Sequence, residues 1–482
     1  MLVIVFLAVC AAVLLGWSSL RPGTGSEHTV ISCEIEGTPK GLVKSLGLLP
    51  DCEAMLALRD TLAGDATLNW QDDIPMKEWK GVTLDATERI SGRLSEWRVT
   101  KLDLSGSQLS GTIPPELGDL SHLRVLILTD NQLTGTIPTE LGNLSHLHYL
   151  YLNVNQLTGE IPSELANISN LKHLILAQNQ LTGEIPSELG NISYVKSLFL
   201  HNNQLTGEIP SALSSLSYLQ DLSLGGNQLT GEIPSELGNL SNLRYLHLGD
   251  NQLTGEIPSE LGSLSYLEWL YLGGNHLRGE IPSALGSLFN LELLRLYENQ
   301  LMSKIPSELG NLSNLRWLEL NDNQLTGGIP SELGNLSNLE VLYLHNNQLT
   351  GGIPSELGNL ASLRWLYIDE NQLSGRIPSE LANLSALTLL RLNDNQLSGP
   401  LPPELGNLHN LSELWLHNNR LGGGIPVAWD KLASTLLSQL RLTNNNFDDD
   451  ACLPPRLARD AKYNEWNFRL WPLEACSSTD DP

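Results

Sequence analysis

Apolar and polar positions repeat at one fixed spacing through most of this chain. The pattern is clearest in Leu243-Arg-Tyr-Leu-His-Leu-Gly-Asp-Asn251-Gln-Leu-Thr-Gly-Glu-Ile-Pro258-Ser-Glu-Leu-Gly-Ser-Leu-Ser. An asparagine marks the register and recurs every 24 residues from Asn131 to Asn419. Ser107 holds the place one step earlier and Asn445 one step later, which makes about fifteen coils. In Tyr245-Leu246-His247-Leu248 apolar and polar residues alternate, so a short strand is predicted with its leucines inward. The asparagine then satisfies backbone groups where the chain turns out of the strand. Ile257-Pro258 adds an apolar contact and fixes φ, and Ser259-Glu-Leu261 begins a short helical return. One coil cannot bury its leucines alone, so the coils must stack. The expected result is a curved solenoid with a single parallel sheet along its inner face.

The period and the L-x-x-L-x-L-x-x-N core are the leucine-rich repeat signature. The longer motif L-T-G-E-I-P-S-E-L-G-N-L-S-N-L closely resembles the plant-type repeat of extracellular receptors, receptor-like proteins and polygalacturonase inhibitors, over roughly residues 100–446. The resemblance implies an α/β solenoid: a right-handed superhelix of about 15 coils, its parallel sheet concave and its short helical or 3-10 returns convex. It also implies a non-enzymatic binding role, because this scaffold carries peptides, small hormones, glycans and enzymes as ligands. The segment ahead of the repeats looks like the plant cap. It has a helix over Asp51–Leu62, then Leu68-Asn-Trp70, Trp79-Lys-Gly-Val82, and Arg98-Val-Thr leading into the first strand. The family usually flanks Trp-x-Gly-Val with cysteines, and here Lys77 and Leu84 stand there. The chain therefore reads as a divergent member. Four segments follow: 1–26 as signal peptide or N-terminal anchor, 27–99 as N-terminal cap, 100–446 as repeat array, and 447–482 as C-terminal cap plugged by Trp466, Phe468 and Trp471.

Charge and compartment agree with this. A formal net charge of −26 argues against nucleic acid, which needs a basic face. Leu2–Trp17 is an unbroken apolar run that spans roughly 24 Å as a helix, short of a ~30 Å hydrocarbon core. A secretory signal is the first reading and an uncleaved anchor the second, which places the protein outside the cell or on its surface. Cys10 lies in that segment, leaving Cys33 and Cys52 before the repeats and Cys452 and Cys476 after them. Fifteen strands at about 4.8 Å hold the two ends roughly 65–70 Å apart, so only the local pairs Cys33–Cys52 and Cys452–Cys476 are feasible. Asn-x-Ser sequons at Asn143, Asn167, Asn191, Asn239, Asn311, Asn335, Asn383 and Asn410 are glycan acceptors in a eukaryotic secretory host. A threonine column from Thr134 to Thr254 offers a regular ladder but fails at Arg278.

No phosphate loop, nucleophile elbow or Cys/His pairing is present, and no cofactor or metal is expected. The inner-face histidines His173, His201, His247, His345 and His417 are too far apart along the coils to share a metal and read as isolated surface groups. The informative signal is aromatic. The positions six, four, two and one before each asparagine face the concave side. They hold Tyr149, Tyr151, Phe199, Tyr245, Trp269, Tyr271, Tyr297, Trp317, Tyr343, Trp365, Tyr367 and Trp415. Convex positions keep the same Gln, Thr, Gly, Glu and Ser. Identical coils need no concave variation to fold, so the varied face is the expected ligand surface, although aromatic side chains also suit strands on propensity alone. Within it, Gly225, Gly226, Gly249, Gly273 and Gly274 remove side chains beside Tyr245, His247, Trp269, Tyr271, Arg295 and Tyr297. A shallow trench with aromatic walls is expected there. Burying about 100 Å² on each of six rings yields roughly 15 kcal/mol gross, against an association cost of about 4–15 kcal/mol. The expected partner is a peptide, a glycan or a protein surface, with a membrane co-receptor if the protein signals. A stiff adhesive spacer is the alternative, and an inhibitor of a secreted enzyme the third reading.

Overall fold

A computed structural model describes residues 48–64, 68–70, 76–86, 97–434, 437–463 and 476. Strand Val82–Ala86 pairs antiparallel with Trp97–Asp103, and from there every coil adds one parallel strand, ending at Gln439–Arg441, in a sheet of 16 strands. The register never slips: Tyr245 pairs with Trp269, Leu246 with Leu270 and His247 with Tyr271. Equivalent residues therefore stand in straight columns about 4.8 Å apart. Inside, Leu243, Leu246, Leu248, Leu253, Ile257, Leu261 and Leu264 of one coil are each no more than 3% exposed, and the same positions repeat down one continuous core.

The marker asparagine joins coils as well as closing the turn. Asn251 Oδ1 accepts from the Leu229 amide of the preceding coil at 3.0 Å. Its Nδ2 donates back to Leu224 O at 3.2 Å and to Leu248 O and Gly249 O in its own coil. Each such bond contributes about 0.5–1.5 kcal/mol, and leaving its partners bare costs about 1–3 kcal/mol apiece, so one amide locks two coils. The residue before each asparagine is left-handed, from Asp130 (φ 57°) through Asp250 (φ 55°) to Asn444 (φ 55°). Asp, Asn and Gly tolerate that conformation best. Gly226 (φ 63°) and Gly274 (φ 67°) share it, but so do Val154, Gln178, Glu298 and Glu370, so the turn by itself does not require glycine there.

The returns are 3-10 turns, as expected: most are five residues long, such as Ser259–Ser263 behind the extended Pro258 (φ −63°, ψ 129°), and the last, Val427–Ser434, has eight. One feature departs from the sequence reading. The inner sheet is not alone. The Gln-Leu-Thr-Gly segments form a second parallel sheet, continuous over eight strands from Arg278–Gly279 to Asn446–Phe447 and broken into shorter pieces before them. The threonine column is bound into that layer: the Thr134, Thr158, Thr230 and Thr254 hydroxyls donate to a glycine carbonyl one coil back. All eight sequon asparagines are exposed, and Asn410 donates its amide to Ser385 O at 2.8 Å.

The N-terminal cap helix runs Leu48–Thr61, three residues earlier than its sequence signals indicate. Asp51 on it is fully buried. It accepts from Arg98 Nη2 at 2.7 Å and from the Val99 amide at 2.7 Å, which pins the helix to the first parallel strand. Trp70 and Trp79 stack at 5.2 Å over the edge of the core. Cys52 is disulfide-bonded, and Cys452 bonds Cys476 across a Cα separation of 5.0 Å. The apolar run Leu2–Trp17, Cys33 and the plug residues Trp466, Phe468 and Trp471 lie outside the described residues. Among the described residues no helix is long and apolar enough to cross a membrane.

Candidate functional site: the concave face

Because the register is perfect, a side chain on one coil meets the same positions on its two neighbours. In the N-terminal half this closes the surface. Tyr149 stacks on His173 at 5.1 Å, and Tyr151, Ile175 and Phe199 pack with Val125 and Ile127 into a second, smaller apolar cluster. Tyr151, Phe199 and Tyr245 are buried, and so are His201 and His247, which corrects the reading of those histidines as surface groups. Burial holds His173 and His201 down to about 4, with Lys196 and Lys172 adding to the effect at His173. Burial also holds His247 down to about 3, reinforced by His201 and Arg295. All three are neutral at pH 7.

The glycine window is likewise filled. A Cβ on Gly225 would stand 2.2 Å from the His247 imidazole, one on Gly249 2.7 Å from the Tyr271 ring, and one on Gly273 3.0 Å from the Tyr297 ring. Each glycine accommodates the ring leaning over from the next coil, so there is no trench above them. His247 stacks on Tyr271 at 4.3 Å, the Tyr271 hydroxyl donates to Asp250 Oδ2 at 3.0 Å, and the Tyr271 and Tyr297 hydroxyls share a short hydrogen bond. Burial raises the Tyr271 and Tyr297 phenols, and both stay protonated.

The open space lies further along. A concavity of about 550 Å³ runs from Tyr245 and Trp269 to Tyr367 and Arg391, across seven consecutive coils. Of the aromatic and basic residues singled out from the sequence, it is lined by Tyr245, Trp269, Tyr271, Arg295, Tyr297, Trp317, Tyr343, Trp365 and Tyr367. Tyr149, Tyr151, Phe199, His247 and Trp415 fall outside it. His345, one of the inner-face histidines, also lines it, and other polar residues of its lining were not evident beforehand: Glu319, Asn321, Asp322, Asp369 and Arg391. These carry no motif, and only their common place four, two or one before the asparagine marks them.

The charged groups are arranged in a definite way. Arg295 Nε sits 3.1 Å from Glu319 Oε2, with its guanidinium 5.6 Å from the Tyr271 ring centre and 5.4 Å from that of Trp317. Arg391 donates to Glu413 Oε2 at 2.9 Å and is clamped between Tyr367 (4.3 Å) and Trp415 (3.7 Å). Tyr343 stacks on Tyr367 at 4.7 Å. Both guanidiniums are thus occupied by a carboxylate and two ring faces, which fixes the floor of the concavity. Above that floor runs the column two before the asparagine, where Asn321, Asp369 and Asn393 are buried and each has an oxygen without a hydrogen-bond partner. Burial pushes the Asp369 carboxyl up to about 6 and raises Glu319 as well, although Arg391 and Arg295 respectively oppose this.

The "Leucine-rich repeat region" family model matches residues 89–232, 195–350 and 303–442. Among solved structures, the plant peptide hormone receptor RGFR1 in complex with RGF2 is similar at 34% identity and a TM-score of 0.70, over 79% of this chain and 66% of that one. A leucine-rich repeat protein of Leptospira interrogans matches at 33% identity and a TM-score of 0.60, over 75% of this chain and 93% of the other. The LRR receptor-like serine/threonine-protein kinase FEI 2 of Arabidopsis thaliana shares 42% identity over 82 residues, which are 16% of this chain and 13% of that protein. The chain thus spans less than two thirds of the receptors it resembles. The matched repeats cover most of its length and the coil geometry is theirs: the chain belongs to the leucine-rich repeat family, with repeats of the plant extracellular type.

Proposed function

We propose that this protein is an exported, non-enzymatic recognition module that binds an extended peptide along the concavity between Trp269 and Arg391. The observation that carries this reading is the in-register lining. Aromatic faces at Trp269, Trp317, Tyr343, Trp365 and Tyr367 and bare acceptors at Asn321 and Asp369 follow one another along the coils in one register, a layout matched to a linear ligand that carries both apolar and hydrogen-bonding groups. The similarity to a receptor solved with a peptide hormone favours a peptide over a glycan. A membrane co-receptor is the partner through which such a module would signal. The spacer reading explains the stacked core but not why this half of the face stays open and polar.

The test is a peptide and glycan array probed with the folded full chain and with Trp317→Ala/Trp365→Ala. Peptides held by the wild type should lose about tenfold or more in the variant, because two indole faces are removed from the site. Equal binding by both proteins would remove the site from this face. Silence from both, with the wild type folded, would favour the spacer.

A further inference from the structure

Within this concavity, the charges that look most available are already committed. Four carboxylates line it, Glu298, Glu319, Asp322 and Asp369, against two guanidiniums, Arg295 and Arg391. Arg295 is paired with Glu319, and Arg391 with Glu413 just beyond the rim. Asp322 accepts from the side-chain amides of Asn321 and Asn346, each at 2.6 Å. Glu298 is exposed to solvent. Asp369 is different: only 7% exposed, it forms no salt bridge, although Arg391 acts on it from further off, and its Oδ1 is buried with nothing bonded to it. Its neighbours in the same column repeat the pattern. Asn321 Nδ2 is taken by Asp322 and Asn393 Nδ2 by Asp394, which leaves Asn321 Oδ1 and Asn393 Oδ1 as acceptors without donors.

A buried carboxylate without a partner is costly, and a fold seeking only stability would place Ala or Gly there, as it does at Ala177, Gly225, Gly249 and Gly273 in the same column. Three bare acceptors over four coils call for a ligand that brings donors, and the charged one among them calls for a cation. The stacked faces of Tyr343 and Tyr367 beside Asp369 add to the attraction for a positive group.

We propose that Asp369 sets the specificity of the concavity by taking a cationic group of an extended peptide, a lysine or arginine side chain or a free amine, while Asn321 and Asn393 accept from donors on either side of it. This rests on the reading of the concavity as a peptide site. Burial pushes the Asp369 carboxyl up to about 6, the direction expected of a group still lacking its counter-ion.

The experiment selects from a positional-scanning library of extended octapeptides with the immobilised full chain, its Asp369→Asn variant and its Asn393→Asp variant. The wild type should enrich Lys or Arg at one position by about tenfold or more over Glu. Asp369→Asn, which keeps shape and volume, should abolish that preference while still retaining peptides. Asn393→Asp should strengthen the preference or spread it to a neighbouring position. Peptides retained by the wild type without a basic preference, or a preference that survives Asp369→Asn, would overturn the assignment and leave the peptide site standing. No peptide retained by any of the three proteins would overturn both.

Discussion

Between Val125 and His247 the concave columns are filled from within, whereas between Arg295 and Arg391 the same columns stay open. Both halves use one 24-residue coil, one register and one asparagine lock. They differ in what stands two residues before that asparagine. Ala177, Gly225 and Gly249 leave room that neighbouring rings occupy, and the imidazoles caught among those rings are driven neutral. Asn321, His345 and Asp369 instead line the groove, and Asn321, Asp369 and Asn393 each carry a buried oxygen without a hydrogen-bond partner. One column of small side chains thus separates a half that serves the fold from a half open to a ligand.

Acid should separate the halves most strongly. In an unfolded chain His173, His201 and His247 take a proton near pH 6.5; in the fold they resist to about 4, about 4 and about 3. Their contribution to stability is complete above pH 6.5 and is lost as pH falls through that window, by roughly 1.4 kcal/mol per pH unit for each histidine. Asp369 acts in the opposite sense. Its folded value is raised to about 6, so lowering the pH from 6 towards 4 relieves an unfavourable buried charge. Because solenoid coils respond locally, hydrogen exchange corrected for its intrinsic rate should show protection falling at His173–Ile175, Ser197–Phe199 and Tyr245–His247 between pH 7 and pH 5, while Trp365–Tyr367 holds. Equal loss in both halves would erase the distinction.

Substitution in the shared column should be next in size. Gly249→Asn drives a side chain into the Tyr271 ring and should destabilise by about 1–3 kcal/mol in a urea melt. The mirror change Asn393→Gly meets no clash and removes an amide whose Oδ1 is unbonded, so it should cost less, about 1 kcal/mol. An effect of similar size belongs to the ligand. Affinity for a selected basic peptide should fall about tenfold from pH 7 to pH 5 as Asp369 protonates, with Arg391 resisting and Glu370 and Asp394 assisting that protonation. Burial lowers the His345 imidazole, with Asp322 opposing and Arg391 adding to the effect. Titration by fluorescence or calorimetry would measure the fall in affinity, and a flat profile would exclude Asp369 from the contact.

Much of this was legible in the chain itself. The alternation in Tyr245-Leu246-His247-Leu248 identified the inner strand and its inward leucines, and the proline at 258 located the return. The second sheet was not foreseen, because Gln-Leu-Thr-Gly is too short and too polar to read as a strand and pairs only once coils are stacked. The concave positions could be enumerated, but whether a residue there is covered could not. Tyr271 and Tyr367 both follow Trp-Leu and yet have different surroundings, since Tyr271 fills the space over Gly249 and Tyr367 stacks on Tyr343 beside the open groove.

The sequence alone determined the coil, its register and the columns on which a ligand surface had to be built, because a strict repeat imposes the same local geometry at every step. The tertiary structure alone decided which columns are filled and which are bare. A ring's position depends on the size of the residue one coil away, and a carboxylate is left without a partner only when every nearby cation is already held by another group. Those are relations between stacked coils, 24 residues apart in the chain and about 4.8 Å apart in space.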